Sequence, residues 1–271
     1  MSKNLYTFEV DMQFKVLSKV KAKEIKSLSS KKERDRKRLF LVEGEKGVRD
    51  ILNSFKIKNL ICTKEWLEEH EELKSKFEEE ILVGDKGIIK TVSSLNTPSD
   101  VIAVCEKPEI DEILPVLSKD KFYLLLDEIQ DPGNLGTIIR TCDWFGIYDI
   151  FASKNSADAF GPKVVQSTMG SLSRVKVHYL NLEELIKKNS DIKLIGTLLN
   201  GIPLKECETL GGGMILMGNE GRGISEVLKK YIDIPLTIPP VNPDSHPDSL
   251  NVAIATAIIL SQLTEIKPGF K

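Results

Sequence analysis

The sequence predicts two α/β domains joined by a linker: a small α/β/α domain at residues 1–106 and a larger domain with a mainly parallel sheet at residues 121–271. Three observations predict this organisation. As far as residue 106, short β-rich runs alternate with helical patterns, as in α/β proteins. Residues 107–120 hold two prolines and many charges, which is typical of a linker. Beyond them the strand candidates are apolar on both faces, as in parallel sheets.

The first domain is predicted to contain four strands and two helices. The strand candidates are short and rich in Val, Ile, Leu and Phe, and the helical segments repeat their apolar residues every three or four positions. The strands are expected at residues 39–44, 58–63, 81–84 and 101–106, and the helices at 46–55 and 64–77.

A strongly basic segment precedes these strands. Between Lys15 and Arg38 there are eleven Lys or Arg and three acidic residues, although the whole chain has a net charge of -2. A local excess of positive charge can neutralise phosphates whatever the total charge. A helix that is merely solvated is the alternative, but interrupting serines and the apolar strand that follows favour contact with RNA. The residues predicted to make it are Lys23, Lys26, Lys31, Lys32, Arg34, Arg36 and Arg38.

The second domain is predicted to alternate six strands with five helices. The strands are expected at residues 122–127, 148–152, 175–180, 193–198, 213–218 and 234–239, and the helices at 135–145, 158–169, 182–188, 224–231 and 249–263. The last helix is apolar almost all round, with Ser249 as its expected N-cap. Such a helix needs cover on both sides, from the sheet and from a second subunit.

Composition indicates a globular cytoplasmic protein, with 41% hydrophobic and 29% charged residues. No apolar run approaches the roughly 20 residues that span a bilayer, and the first residues lack the features of a signal peptide. The four cysteines and three histidines are scattered, without a CxxC or a two-ligand helical spacing. We therefore expect buried, reduced thiols, no metal site and no membrane partner.

The loop after the first strand of the second domain carries an amide, followed six residues later by an arginine. Asn134 is placed to cap the next helix, and Arg140 lies within that helix among apolar neighbours. Arginine seldom enters an apolar stripe unless an anion or a bidentate contact compensates its desolvation. The pair indicates an anionic ligand, although a plain N-cap and a snorkelling arginine would explain this stretch equally well.

A second loop, at residues 217–225, is rich in glycine. Gly218, Gly221 and Gly223 lack side chains, so a ligand can approach the backbone closely, and Glu220 places a carboxylate among them. The spacing fits neither a Walker loop nor GxGxxG. Taken alone, a glycine-rich turn after a strand is often only a turn.

The third loop, at residues 238–251, is rich in proline and ends in Ser-Leu-Asn at a helix start. The amide of Asn251 is expected to be buried in the first turn of so apolar a helix, where it would need a partner. Open α/β sheets bind ligands at the carboxyl ends of their strands. The three loops are therefore expected to meet.

In their order and spacing the loops resemble the signature motifs of the SpoU-type (TrmH-like) SPOUT RNA methyltransferases. The family pattern is Asn, Arg six residues on, a strand running into Gly-x-Glu-Gly-x-Gly, and Ile-Pro followed by Ser-Leu-Asn-Val. Those residues stand here at Asn134, Arg140, 218–223, 238–239 and 249–252. The resemblance covers about residues 120–268, and residues 23–52 are similar to an accessory RNA-binding domain of many members. The third loop, with VNPDSHPD, is longer than expected.

This resemblance implies a C-terminal SPOUT domain with a parallel sheet and a deep trefoil knot, preceded by a small α/β/α RNA-binding domain. It implies methyl transfer from S-adenosylmethionine to a ribose 2′-hydroxyl in ribosomal or transfer RNA, by a homodimer formed through the C-terminal domain. The similarity of the front domain to binders of ribosomal RNA favours ribosomal RNA as the substrate. The target nucleotide, and any accessory factor, are not implied.

The resemblance also implies the site residues. The expected cofactor contacts are Thr197, Leu198, Gly218, Gly221, Gly223, Ile238 and Leu250, and the expected catalytic residues are Arg140, Asn134, Glu220, Ser249 and Asn251. Family proposals make the arginine a base, but a guanidinium essentially never deprotonates, and this role would cost roughly 7 to 8 kcal/mol. Gripping an RNA phosphate and the ribose suits Arg140 better, which leaves the general base open.

Two alternatives come from other functional classes. A non-catalytic RNA-binding protein of the same fold would not need the full set of motif residues. A nucleotide-dependent oxidoreductase would need a glycine fingerprint after its first strand, which this chain lacks.

Overall fold

The computed structural model describes residues 14–74, 77, 80–109, 114–207, 210–242, 244–245 and 247–264. Its internal contacts divide the chain into two compact units. One runs up to Val48 and resumes over Lys56–Glu106, and the other comprises Arg49–Phe55 and the chain from Lys107 onward. Of the expected linker, residues 110–113 lie outside the described part, so the boundaries expected from the sequence stay a prediction.

The first unit contains a five-stranded mixed sheet. Its strands are β1 (Lys15–Val16), β2 (Leu39–Glu43), β3 (Ile57–Cys62), β4 (Glu80–Val83) and β5 (Val101–Glu106), in the order β1-β4-β3-β5-β2. The pairs β1-β4 and β3-β4 are parallel, whereas β5 is antiparallel to both of its neighbours. The four expected strands are present. With two residues, β1 is too short to show a periodic pattern in the sequence.

The helices of this region are short. They are α1 (Lys19–Lys26), α2 (Lys31–Lys37), α3 (Glu45–Ile51), α4 (Lys64–Glu69), α5 (Glu71–Lys74) and α6 (Lys86–Val92). On one sheet face, Ala22 and Ile25 of α1 and Ile89 and Val92 of α6 join a buried apolar cluster with strand residues such as Ile61. In place of the single helix expected at 64–77, the structure has the two short helices α4 and α5. Residues 75, 76, 78 and 79 lie outside the described part.

The basic segment folds into α1, a short 3-10 turn and α2, which gives its cations different roles. Arg34 is buried, and its Nη1 donates to the carbonyls of Leu28, at 2.9 Å, and Ser29, at 2.8 Å. It closes the turn between the helices, so the expectation that it contacts RNA is corrected. Lys26 Nζ donates to Ser93 O at the end of α6, at 2.6 Å. The other predicted RNA contacts are exposed: Lys23, Lys31, Lys32, Arg36 and Arg38. Lys31 is paired with Asp35 and Arg36 with Glu33.

The second unit contains a six-stranded sheet in which every pair is parallel, as predicted. Its order is β11-β9-β10-β6-β7-β8. The strands are β6 (Phe122–Leu126), β7 (Asp149–Ser153), β8 (Lys176–Leu180), β9 (Leu194–Pro203), β10 (Gly213–Met217) and β11 (Ile234–Thr237).

Among the residues that the structure describes, five helices cover this sheet and complete three layers. They are α7 (Pro132–Trp144), α8 (Pro162–Thr168), α9 (Leu182–Lys188), α10 (Glu226–Lys229) and α11 (Val252–Leu263). One apolar cluster joins α7, α8 and α11 to one sheet face, and another joins α9 and α10 to the opposite face. Residues 114–117 pack beside α9, where Asn189 Oδ1 accepts a hydrogen bond from Leu117 N at 2.8 Å.

Two helix starts differ from the expectation. Asp131, not Asn134, is the N-cap of α7, and its carboxylate accepts from Asn134 N at 2.8 Å. Asn251, not Ser249, is the N-cap of α11 and accepts from the amides of Ala253 and Ile254. Pro132 explains the first case, since proline favours the position directly after an N-cap. Asn251 is exposed rather than buried, because its side chain lies at the helix end.

Helix α11 buries one face only, with Ile259 and Leu260 in the core. On its outer face Ile254 is 55% exposed and Ile258 is 39% exposed. In this single chain the sheet side is covered and the opposite apolar side is not.

Each of the four cysteines lies in the described part of the chain and none of them forms a disulfide. Three are buried, as expected, whereas Cys207 is only partly buried. Burial raises the pKa of the Cys105 and Cys142 thiols. Among the residues that the structure describes, no three His, Cys, Asp or Glu side chains group closely enough to hold a metal ion. None of the helices in that part of the chain has the length and apolarity needed to cross a membrane.

Candidate functional site

The carboxyl ends of β9, β10 and β11 lie side by side at one edge of the sheet, because these strands are parallel neighbours. Thr197 stands in the first half of β9, Gly218 directly follows β10 and Ile238 directly follows β11. The Thr197 hydroxyl donates to Leu216 O at 3.1 Å and so fastens β9 to β10. Parallel pairing thus places three expected cofactor contacts on adjacent strands.

Residues 197–201 form a bulge at this edge. The β9-β11 pairing jumps from Gly196 opposite Pro235 to Ile202 opposite Leu236, so the intervening backbone lies outside that ladder. The bulge is anchored by Thr237, whose hydroxyl donates to Leu199 O at 2.9 Å. The segment combines backbone amides outside the ladder with the exposed apolar side chain of Leu199, which suits the edges and faces of an adenine ring.

The loop after β10 closes on itself. Asn219 N donates to Gly223 O at 3.0 Å, and Gly223 N donates to Asn219 O at 2.9 Å. Gly223 has φ +69°, which favours glycine. A Cβ at Gly218 would lie 2.3 Å from both Gly223 C and Ile224 N. The glycines therefore permit a tight loop with Glu220 at its tip.

Gly218→Ala is expected to lower the free energy of unfolding by about 1–3 kcal/mol, because the methyl group would overlap backbone that cannot move aside cheaply. Cofactor affinity should fall with it. Chemical denaturation and calorimetric titration measure the two effects. The matched control is Gly211→Ala, since a Cβ there meets nothing within 4 Å. Equal stability of both variants would contradict the tight-loop account.

A chain of hydrogen bonds joins the three sequence motifs. Asn134 Nδ2 donates to Glu220 Oε1 at 3.0 Å, and Asn251 Nδ2 donates to Asn134 Oδ1 at 2.9 Å. Asn251 Oδ1 in turn accepts from Ala253 N at 2.9 Å, in the first turn of α11. Residues that lie 86 and 117 positions apart in the chain are therefore in direct contact.

The direction of these bonds orients both amides. Asn251 Oδ1 accepts from helix amides, so its Nδ2 is the atom that faces Asn134. Because Asn134 Oδ1 accepts that bond, Asn134 Nδ2 is the atom that faces Glu220. Within the described part of the chain, no hydrogen bond reaches the second carboxylate oxygen of the exposed Glu220. That oxygen is available to accept a hydrogen bond from a ligand.

Arg140 stands apart from this chain of bonds. It lies six residues beyond Asn134 on α7, about 9 Å along the helix axis and about 120° around it. Its side chain is exposed, which corrects the expected apolar surroundings, and no hydrogen bond or ion pair joins it to another described residue. Its charge is therefore available for an anion. Ser249 is likewise exposed.

Two supporting residues escaped the sequence analysis. Asp127 is buried, and its Oδ2 accepts from Ser225 N at 2.7 Å, which ties the end of β6 to the start of α10. Asn219 Nδ2 donates to Glu128 O at 2.7 Å, while Asn219 Oδ1 accepts from the amide of Gly221 at 3.0 Å. An acid directly after an apolar strand was the available signal for Asp127.

Two segments of the chain match known domain families. Residues 121–261 match the SpoU rRNA Methylase family. Residues 19–103 match the MRM3-like substrate binding domain. The first match includes all three loops of the site, and the second includes the basic helices α1 and α2.

Individual proteins resemble nearly the whole chain. The 23S rRNA (guanosine(2553)-2′-O)-methyltransferase RlmP of Bacillus subtilis is 35% identical over 246 residues, which cover 90% of this chain and 95% of that protein. The structure of a putative RNA methyltransferase of the TrmH family from Porphyromonas gingivalis matches with a TM-score of 0.81 and 36% identity, over 92% of this chain and 98% of that one. An AdoMet-bound rRNA methyltransferase from Sinorhizobium meliloti matches with a TM-score of 0.80 and 30% identity, over 92% and 95%. The chain belongs to the SpoU rRNA methylase family.

Proposed function

We propose that this protein transfers a methyl group from S-adenosylmethionine to a ribose 2′-hydroxyl of ribosomal RNA. The observation that carries the proposal is the bonded series Glu220, Asn134 and Asn251, one residue from each motif. The Bacillus subtilis relative is named for this reaction on 23S rRNA, and the Sinorhizobium meliloti structure is named as AdoMet-bound. We place the protein in the cytoplasm, since its proposed substrate is ribosomal RNA.

The residues present fit this cofactor. The bulge at 197–201 and the loop at 218–223 offer backbone groups, while Ile238 and the half-exposed Leu250 offer apolar contact. When bound, S-adenosylmethionine supplies a methyl group attached to a positively charged sulfur. The protein therefore has mainly to orient the hydroxyl and manage its proton.

The deep trefoil knot implied by the resemblance belongs to the same proposal. The strand order is compatible with it: β9 lies between β10 and β11 although it precedes both in the chain. A knot in which the C-terminal segment passes through a loop would bring the loops after β9, β10 and β11 around one ligand.

Different side chains of the protein are proposed to bind the ribose hydroxyl and the RNA phosphate. The free oxygen of Glu220 accepts a hydrogen bond from the ribose hydroxyl, and Asn134 keeps that carboxylate in place. The guanidinium of Arg140 grips an RNA phosphate with a fork of donors. Ser249, beside the start of α11, completes the ribose pocket. The final acceptor of the hydroxyl proton is left to experiment.

The function is tested by incubating the protein with S-adenosylmethionine carrying a labelled methyl group and with ribosomal RNA, ribosomal subunits or transfer RNA from cells lacking the gene. Label should appear in ribosomal RNA, and mapping should place it on one ribose. Binding of RNA and cofactor without transfer would identify the non-catalytic alternative. Tight binding of NAD in place of S-adenosylmethionine would identify an oxidoreductase.

The exposed cations of α1 and α2 are proposed to bind the RNA backbone. Replacing both Lys23 and Lys32 by alanine should weaken RNA binding and lower the slope of log affinity against log salt by about 1 to 2 units, because two phosphate contacts are lost. Titrations at several salt concentrations measure the slope. The matched control replaces Lys64 and Lys86, whose partners are Glu68 and Asp100. An equal change in the control would contradict the assignment.

We propose a homodimer formed through the outer faces of α7 and α11, which pack against each other. Trp144 is 84% exposed on α7, and Ile254 and Ile258 are exposed on α11. Ile254→Asp should convert dimer to monomer in analytical ultracentrifugation, because a buried unpaired charge is costly. Val227→Asp, at a residue of α10 with 51% exposure, should leave the dimer intact. A dimer that survives the first change would exclude this face.

A further inference from the structure

Glu128 has an unusual backbone for its residue type. Its φ of +58° lies in the left-handed region, which costs a non-glycine residue roughly 1–2 kcal/mol. The residue follows the buried Asp127 at the end of β6 and precedes the loop that leads to α7. A conformation of this kind persists only where the surroundings hold it in place.

Four hydrogen bonds hold Glu128. Its amide donates to Ser153 Oγ at 2.8 Å, and its carbonyl accepts from Asn219 Nδ2 at 2.7 Å. Its carboxylate accepts from Asn155 Nδ2 at 3.0 Å and forms an ion pair with Arg222. The backbone and the side chain of this one residue thus connect the end of β7 with the loop after β10.

The two contacts of Glu128 with the loop after β10 lie just before and just after Glu220 in the sequence. Asn219 and Arg222 stand on either side of Glu220 and Gly221. Glu128 and Asn134 belong to one segment, the stretch between β6 and the first turn of α7. Glu128 lies six residues before Asn134, and Asp131, the N-cap of α7, lies between them. The bond from Asn134 to Glu220 is therefore supported by a second bridge between the same two segments.

We propose that Glu128 is a positioning residue for methyl transfer: paired with Arg222, it fixes the loop at 218–223 so that Glu220 meets Asn134 in the reactive geometry. This inference rests on the proposed function. The two backbone bonds between Asn219 and Gly223 close the loop on itself but do not fix its position against Asn134, so an external anchor is needed. Displacements of about 1 Å can lower a rate about 100-fold.

The first test does not depend on RNA. Hydrogen exchange is followed by mass spectrometry in the cofactor-free protein, in wild type and in Glu128→Gly, Glu128→Gln and Lys193→Gln. Glycine tolerates the left-handed backbone but lacks the carboxylate, whereas glutamine keeps an acceptor oxygen. Amides at 218–223 should exchange at least about tenfold faster in Glu128→Gly, and less so in Glu128→Gln. The control, which breaks the exposed pair with Asp233, should match wild type.

The second test is a double-mutant cycle in methyl transfer. Glu128→Gly and Arg222→Gln should each lower kcat about tenfold, with melting temperatures close to that of wild type. Because both act through one contact, the double variant should lose no more than the worse single variant. Partial recovery of kcat in Glu128→Gln would support positioning by the carboxylate oxygens.

Three results would overturn the inference: unchanged exchange at 218–223, losses that multiply in the double variant, or a fall in kcat matched by a large fall in melting temperature. If wild type itself methylates no RNA, the proposed function fails. The exchange experiment would still decide whether Glu128 anchors the loop.

Discussion

Arg140→Ala is expected to abolish methyl transfer while cofactor affinity stays nearly unchanged. A guanidinium fork on a phosphate makes two charge-assisted hydrogen bonds, each contributing about 1.5–3 kcal/mol. Losing about 3 kcal/mol or more lowers a rate by at least about 100-fold. Arg140 has no described partner in the protein, so its removal leaves no buried group unpaired. Single-turnover rates and calorimetric titration with S-adenosylmethionine measure the two quantities.

Two further variants define what Arg140 supplies. Arg140→Lys keeps the charge without the planar fork and should fall between wild type and the alanine variant. Arg174→Ala removes another exposed arginine of the same unit, one that is paired with Asp143 at 2.7 Å, and should turn over normally. Normal turnover by Arg140→Ala would exclude the phosphate-gripping role.

Asn134→Asp is expected to reduce methyl transfer by about 100-fold near neutral pH. The change places a second carboxylate about 3.0 Å from Glu220 Oε1, where an amide donates now. Two such carboxylates repel each other and raise the pKa of one of them. As the pH falls through that raised pKa, the pair takes up a proton and regains a donor. The ratio of wild-type to variant rate should therefore shrink from pH 8 toward pH 5.5.

Companion variants separate charge from the lost bond. Asn134→Ala breaks the same contact without adding charge, so its ratio to wild type should stay constant with pH. The double variant with Asn134→Asp and Glu220→Gln restores a hydrogen bond with donor and acceptor exchanged. It should nevertheless remain inactive. If Asn134→Asp had the same pH profile as wild type, the bond to Glu220 would not be part of the working site.

Local sequence patterns were sufficient to predict most strands and helices. The strands of the second unit are apolar on both faces because helices cover both sides of the sheet, and this burial is legible in the sequence. Boundaries were less accurate where a single side chain decides them. Asp131 and Asn251 begin their helices in place of Asn134 and Ser249, since several neighbouring residues offer equally suitable oxygens.

Side-chain roles were harder to predict than positions. Arg34 belongs to a run of exposed cations, yet it turns inward to two carbonyls, and charge counting could not distinguish it from Arg36. The left-handed backbone at Glu128 gives no sequence signal either, because the contacts that hold it come from residues 153, 155, 219 and 222.

The amino-acid sequence by itself determined the α/β class, the parallel sheet and the motif residues, because periodicity, capping and glycine content depend on near neighbours. Only the tertiary structure decided that Glu220, Asn134 and Asn251 form one bonded series, and that Arg140 faces outward beyond it. The physical reason is that hydrogen bonds require an approach within about 3 Å. For residues far apart in the chain, that approach is set by the order of parallel strands and not by any local pattern.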